Sequence, residues 1–378
     1  MSEENADKYY RKIRDTLFMP KAKESLKLLE FWFSPEEAQI LSKFNSPMLD
    51  SYSIEKMAKK VKFSEDKVQE IFTRLEKKGL LFNYINKKDN NKLYYALPPL
   101  FPGLFEWFFA SKYVNLDEKR EGAKIFHQVE AEVFPAFASN YEISRVIPAI
   151  NGEKVIELDQ QVDVGKSQIL LFEDVEKILD NSWSIAVMPC PCRIYHGIIG
   201  DGCDRPIDVC LNLNSVAEYV DRVGIGWKVS KEEAIEILKK AEKAGLVHIA
   251  NNQSDKHSFI CNCCPDCCGF LSLYNKFKYL KGAVAKSNFE PRIDDSLCIR
   301  CKKCIKICPV DAIFIQYGAT EDLSDAKIVI RKDICIGCGL CASNCQKDAI
   351  SLVKVRDDSD LENQLWAAAM RNRQEKLY

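Results

Sequence analysis

The 378-residue sequence predicts an α+β multidomain chain. Three observations lead there. The first hundred or so residues place apolar side chains at helical spacing and then alternate them in two short stretches. The middle mixes helix and strand patterns with nine of the seventeen cysteines. The C-terminal part carries one cysteine run written twice. Composition shifts and turn signals set the boundaries at residues 1–110, 111–286 and 287–354, with a tail over 355–378.

Composition narrows the classes. At 47% hydrophobic, 29% charged and a formal net charge of -1, the chain lacks the basic excess of a nucleic-acid or acidic-lipid binder. The opening MSEENADKYYRK has no apolar core of a secretory signal, and no uninterrupted apolar run approaches the roughly 18 residues of a membrane span. Cysteine-rich without an export signal points to metal rather than disulfides. An oxygen-poor cytoplasm is the expected setting.

In the first domain, residues up to about 33 predict an amphipathic helix through Leu26, Leu28, Leu29, Phe31 and Phe33. Ser34-Pro35-Glu36-Glu37 starts the next, with Ser as cap, Pro at the first position and Glu closing a capping box. Ile54, Met57, Ala58, Val61 and then Val68, Ile71, Phe72, Leu75 repeat i, i+3, i+4, i+7, so two helices meet at Lys62-Phe63-Ser64. Gly79 ends the second, and residues 81–85 and 93–96 flank a polar turn. Helix, helix, helix, hairpin is the order of a winged helix–turn–helix. Its charge does not favour DNA. Glu65 and Asp66 open the presumed recognition helix, and residues 34–96 hold twelve Lys or Arg against nine Asp or Glu. A structural or protein-docking role is the expectation, with DNA possible but not favoured.

Pro98, Pro99 and Pro102 precede an aromatic helix over 105–109 that suits a core or internal surface. Beyond it the patterns predict a helix over 119–134, strands over 144–150 and 154–158, and a helix over 172–179. Pro148 makes the first of these strands an edge or a bulge. No phosphate-binding glycine motif and no catalytic constellation occurs here, and His127 reads as a surface or capping histidine.

The middle cysteines come as Cys190 and Cys192 in AVMPCPCR, Cys203 and Cys210 in GDGCDRPIDVC, and Cys261, Cys263, Cys264, Cys267 and Cys268 in ICNCCPDCC. Between the last two groups Ser230 and Glu233 form a capping box, Ala234, Ile237, Leu238 and Ala241 a buried stripe, and Gly245 a stop. Distant cysteines are therefore expected to meet over a packed helix. Thiolates beside only His196 and His257 favour iron–sulfur over a harder metal, with zinc and free reactive thiols as alternatives. Cys192, Cys203, Cys210 and one of the last five make the first candidate ligand set.

The doubled run reads CIRCKKCIKICP and CIGCGLCASNCQ, each C-x-x-C-x-x-C-x-x-x-C. Three thiolates on one tight loop can cap three irons of a cube, and the fourth iron needs a ligand from elsewhere. A shift of 37 residues superposes not only Cys298 on Cys335 and Cys308 on Cys345 but also Asp311, Ala312 and Ile313 on Asp348, Ala349 and Ile350. Zinc knuckles share the C-x-x-C pair, but eight ligands in this register fit cubanes better. The stretch resembles the bacterial two-[4Fe-4S] ferredoxins, so a C-terminal ferredoxin-like dicluster module is expected. The resemblance implies one [4Fe-4S] cluster on Cys298, Cys301, Cys304 and Cys345, and a second on Cys335, Cys338, Cys341 and Cys308. Gln346 stands where those ferredoxins usually carry a second proline. The tail predicts one amphipathic helix, capped by Ser359 and Glu362 and apolar at Leu361, Leu365, Trp366 and Met370.

Taken together, residues 34–38, 144–150, 189–193, 202–206, 217–226 and 260–269, followed by the terminal module, resemble a multidomain family of 4Fe-4S binding proteins from anaerobic bacteria and archaea. The resemblance implies a redox protein with one or two further iron–sulfur clusters in the middle domain and names no substrate. The expected function is a multicluster electron carrier that passes single electrons between a redox partner, protein or oxidoreductase complex, and its terminal module. A redox-responsive regulator and an enzyme subunit with a substrate-binding cluster are the alternatives. No catalytic residue is assigned.

Overall fold

The computed structural model describes residues 3–138, 144–149, 173–252, 257–276, 284–319 and 323–356. The expected strand over 154–158 and the tail helix beyond residue 356 lie outside them.

The expected N-terminal helix is two helices, α1 (Glu3–Thr16) and α2 (Lys23–Trp32). Phe18 adopts a left-handed φ of 55° and Pro20, which has no N–H to donate, follows, so the helix cannot run through. The capping box forms at α3 (Pro35–Leu41): the Ser34 N–H donates to Glu37 Oε2 at 2.7 Å and the Glu37 N–H to Ser34 Oγ at 3.4 Å. Then come α4 (Ile54–Val61) and α5 (Glu65–Lys77), joined through Lys62 at φ 61°, and the antiparallel strands β1 (Phe82–Asn86) and β2 (Lys92–Ala96). Leu28, Phe33, Ile40, Phe44, Ile71 and Phe72 are fully buried between these helices. Gly79, at φ 75°, lets the turn after α5 lie against Trp107, whose backbone would stand 2.5 Å from any Cβ there.

The aromatic helix α6 (Phe105–Ala110) and α7 (Leu116–Ala138) carry this core past residue 110. Phe105 packs on Phe126 at 4.6 Å between ring centres, and both Phe105 and Phe109 pack on Tyr195, at 5.6 and 5.4 Å. Tyr195 belongs to the cysteine-rich middle, so the first domain is built onto it.

That middle contains β3 (Ser144–Ile147), α8 (Val175–Asp180), β4 (Ile185–Pro189), α9 (Pro191–Ile199), β5 (Asp208–Leu213), α10 (Asn214–Arg222), β6 (Trp227–Lys228), α11 (Lys231–Lys243), β7 (Val247–Asn251), β8 (Phe259–Cys263), α12 (Gly269–Lys276) and β9 (Val284–Ala285). The strands form one sheet in the order β6-β4-β5-β8-β7-β3-β9, antiparallel except for the β3–β9 pair. The edge position expected of the first strand is corrected: β3 has neighbours on both sides, and it stops at Ile147, one residue before the proline that would have broken its ladder. Period-two alternation sorts the two faces. Ile185, Val187, Leu211 and Leu213 meet α8 and α11. Ala186, Met188 and Cys210 turn to the other face, against α10 and the aromatic side chains of β1 and β2.

His257, just before β8, is buried and neither ring nitrogen has a hydrogen-bond partner. Burial holds its pKa down at about 4, below its ordinary 6.5. The unfolded chain therefore binds a proton that the folded chain refuses between those values. Stability is complete above pH about 6.5 and falls as pH drops toward 4, by up to about 3 kcal/mol. Denaturant midpoints across that window are expected to slope less in His257→Gln than in wild type; equal slopes would show that the imidazole is not held neutral.

The C-terminal part holds β10 (Phe289–Ile293), α13 (Lys303–Ile307), β11 (Ile313–Gln316), β12 (Lys327–Ile330), α14 (Leu340–Ser343) and β13 (Ile350–Lys354). β10 pairs with β13 and β11 with β12, both antiparallel. The 37-residue repeat extends to the backbone. Arg300, Lys302 and Asp311 have φ of 55°, 62° and 53°, and their equivalents Gly337, Gly339 and Asp348 have 70°, 75° and 51°. Among the described residues no helix is long and apolar enough to cross a membrane.

Candidate metal centres

Each cysteine loop of the C-terminal part is followed by one turn of helix, α13 or α14, that turns its third cysteine inward. Cys298, Cys301, Cys304 and Cys345 line one cavity of about 30 Å³. Cys308, Cys335, Cys338 and Cys341 line another of about 20 Å³. Each set takes three cysteines from one run and the last from the other. Cys301 is exposed, whereas Cys341 is buried. Burial pushes the Cys304 thiol up to about 11 and raises Cys335, Cys338 and Cys341 as well. A cation must displace those protons to bind, so binding there is proton-coupled. The Ala312 N–H donates to Cys308 Sγ at 3.2 Å, the kind of contact that tunes a bound sulfur.

In the middle domain the order β4-β5-β8 sets three cysteine-bearing segments side by side. Cys190 caps α9 at the end of β4, Cys210 lies on β5, and Cys261 and Cys263, two apart, share a face of β8. Thiol neighbours run from Cys192 to Cys190, Cys210, Cys261, Cys263 and Cys268, and Cys192 in turn feels Cys268. These six and Cys264 line a cavity of about 120 Å³. The other wall is apolar and comes from the first domain, through Met48, Phe101, Phe105 and Trp107. Cys264 also meets Cys203 and Cys267: the three sulfurs all lie within 4.8 Å of one another. This divides the expected ligand set, because Cys203 sits with Cys264 and Cys267 while Cys210 sits with Cys190 and Cys261. The sheet pairing places Cys210 inside β5 and leaves Cys203 in the loop before it.

Two charged side chains at this cavity were missed in the sequence reading. Arg193 on α9 is 3% exposed; its Nη1 donates to the Asn262 carbonyl at 3.2 Å, and Nε and Nη2 have no hydrogen-bond partner. Burial works against its charge, but Cys190, Cys210 and Cys264 outweigh that and raise its pKa. Glu106, the lone acid in the run FEWFF, is half-buried at the same cavity, and its apolar surroundings lift it to about 8 although it accepts the Gly103 N–H at 2.7 Å. An arginine directly after C-x-C and an acid within an aromatic helix were the signals available. No histidine lines this cavity: His196 pairs with Asp201 at 2.7 Å, His257 is enclosed without partners, and His127 pairs with Glu130 at 2.7 Å on the surface.

Behind β8 a buried chain leads toward the C-terminal part. Asn262 meets His248 at 2.6 Å, His248 meets Glu242 at 3.0 Å, and Asn344, next to Cys345, donates to the Glu242 carbonyl at 3.2 Å. Cys261, Cys263 and Cys268 pack on the same hydrophobic core as Cys308, Cys335 and Cys338.

Two cysteine quartets on a repeated loop, in a mixed α/β chain, define an iron–sulfur protein with a ferredoxin-type dicluster part. In keeping with this, residues 297–349 match the family described as 4Fe-4S dicluster domain. No curated protein and no solved structure matches the chain.

Proposed function

We propose that the chain is a multicluster iron–sulfur electron carrier, with two cubanes in the terminal quartets and a further iron–sulfur centre in the middle cavity. Bound there, such clusters would supply one-electron redox chemistry. The protein's part is to hold, insulate and space them. The observation that carries the reading is the shared core: Val146, Ile249, Leu271, Val310 and Ile334 belong to one buried cluster on which both the inner terminal quartet and the middle cysteines pack. The donor chemistry fits as well. Six neighbouring thiols and one buried guanidinium around a cavity of about 120 Å³ suit an anionic thiolate-bound cluster.

Electrons would enter at the outer quartet. Cys301 is exposed there, and Leu297, Ile299, Phe314 and Tyr317 present apolar surface on the same module, suited to a transient redox partner. The inner quartet then stands between that surface and the middle centre.

We read α3, α4, α5 and the β1–β2 hairpin as a winged helix–turn–helix used structurally, its hairpin aromatics Phe82, Tyr84 and Tyr94 packed on α10 and the middle sheet. Three of its twelve cations are engaged with its own acids: Lys67 with Glu36 at 3.1 Å, Arg74 with Glu37 at 2.9 Å, and Lys92 with Glu55 at 3.1 Å. A specific DNA binder needs free cations to neutralise phosphates. The full-length protein is expected to hold random duplex DNA weakly and to enrich no motif in a genomic selection. One reproducible site, bound tightly at physiological salt and lost on Lys87→Glu, would promote the regulator instead. The carrier itself is tested by a reductive titration followed by EPR. Two interacting cubane signals and a separate third centre are expected, and two centres alone would refute the middle cluster.

A further inference from the structure

We infer that Cys203, Cys264 and Cys267 form a mononuclear site for a thiophilic divalent cation, zinc above all, separate from every cubane. The inference goes beyond the electron carrier and does not depend on it.

The spacing of the sulfurs carries it. Zinc binds thiolate at about 2.3 Å in a tetrahedron, so two of its sulfurs stand about 3.8 Å apart. Cys203 Sγ and Cys264 Sγ are 3.9 Å apart, and Cys267 Sγ is within 4.8 Å of both. Around a cube each thiolate holds a different iron, and the sulfurs stand farther apart. The molecule supplies its own comparison. Neither terminal quartet brings three sulfurs within 4.8 Å, and among the described residues this trio is the one group of potential metal ligands that does.

The local chain is shaped for such a site. Cys264 and Cys267 form a C-x-x-C pair directly after β8, half of a common zinc motif. The Cys267 N–H donates to Cys264 Sγ at 3.3 Å, which orients the sulfur and lowers the cost of its charge. Cys203 arrives from the loop after α9, where Gly202 passes so close to Gly197 that a Cβ would sit 2.9 Å from its Cα. Val209, Ala241 and Leu246 close the apolar side.

Charge agrees. Three thiolates around a dication leave one net negative charge in a mostly buried place. Arg193, buried against Cys264, supplies opposite charge here, a charge that it also directs at Cys190 and Cys210 of the neighbouring cavity. The C-terminal quartets have no buried guanidinium of this kind among the described residues.

The test uses full-length protein purified anaerobically from cells given both iron and zinc. About one zinc per chain is expected beside the iron and acid-labile sulfide. Cys203→Ser should lose that zinc and keep wild-type iron, sulfide and far-UV circular dichroism. Because a serine variant can misfold, wild type is also treated with a mild chelator and reloaded with cobalt(II). Removal of zinc without loss of sulfide, followed by the charge-transfer and ligand-field bands of tetrahedral thiolate–cobalt, supports the site. Zinc retained in Cys203→Ser, or iron and sulfide lost from it together, overturns the inference. The EPR signals of the terminal cubanes are read separately, so failure here leaves the electron carrier standing.

Discussion

Cys304→Ala is expected to remove about four irons and about four sulfides per chain and to reduce the coupled EPR signal of the terminal module to that of a single centre. Cys304 lies in the first turn of α13 and shares its cavity with Cys298, Cys301 and Cys345. Alanine leaves three ligands for four corners, with no other cysteine lining that cavity. A paired experiment makes this sharper. Cys304 and Cys345 lie around one cavity although 41 positions separate them (345 minus 304), so Cys304→Ala with Cys345→Ala should lose no more iron than either alone. Cys304 and Cys308 belong to one run but line different cavities, so their double variant should lose both cubanes. The opposite pattern would mean that each run holds its own cluster.

Arg193→Met is expected to have the largest effect of any change outside the cysteines. Methionine keeps much of the length and apolar stem but removes the only charge that α9 sends among the middle thiols. Breaking a buried charge pair on one side typically costs about 3 to 5 kcal/mol, a large part of the roughly 5 to 15 kcal/mol that holds a domain folded. Here the loss falls on metal-bound protein, because the unbound thiols can protonate. The measured result should be middle-domain iron and sulfide lost, the terminal EPR signals kept, and a denaturation midpoint lowered most in the metal-loaded protein. Arg193→Lys should recover only part, since an ammonium cannot aim at several sulfurs as the planar guanidinium does. Full retention of iron in Arg193→Met would show that the guanidinium does not hold the centre.

Local chemistry was legible in the sequence and spatial neighbours were not. The capping boxes at Ser34 and Ser230 form where the side chains predict them, because a cap depends only on residues three apart. The two quartets were implied by the resemblance of the doubled cysteine run to the bacterial two-[4Fe-4S] ferredoxins. The left-handed backbone at Arg300 and Lys302 was hidden, since nothing in those side chains asks for positive φ; only the repeat, with glycines at 337 and 339, betrays it. Pro148 misled about β3, because proline forbids a ladder bond at its own position and the strand simply ends before it. The grouping of the middle cysteines depends on β4, β5 and β8 lying side by side, and periodicity says which face a residue takes but not which strand comes next. Cys210 and Cys203 were therefore placed together and belong apart.

The proposed third iron–sulfur centre in the middle domain is tested most directly by iron and acid-labile sulfide per chain in anaerobically purified full-length protein. The terminal module alone accounts for about eight of each. About twelve or more of each, in equal amounts, is the predicted result. Eight of each, with the middle cysteines titrating as free thiols or bound to zinc alone, would contradict it.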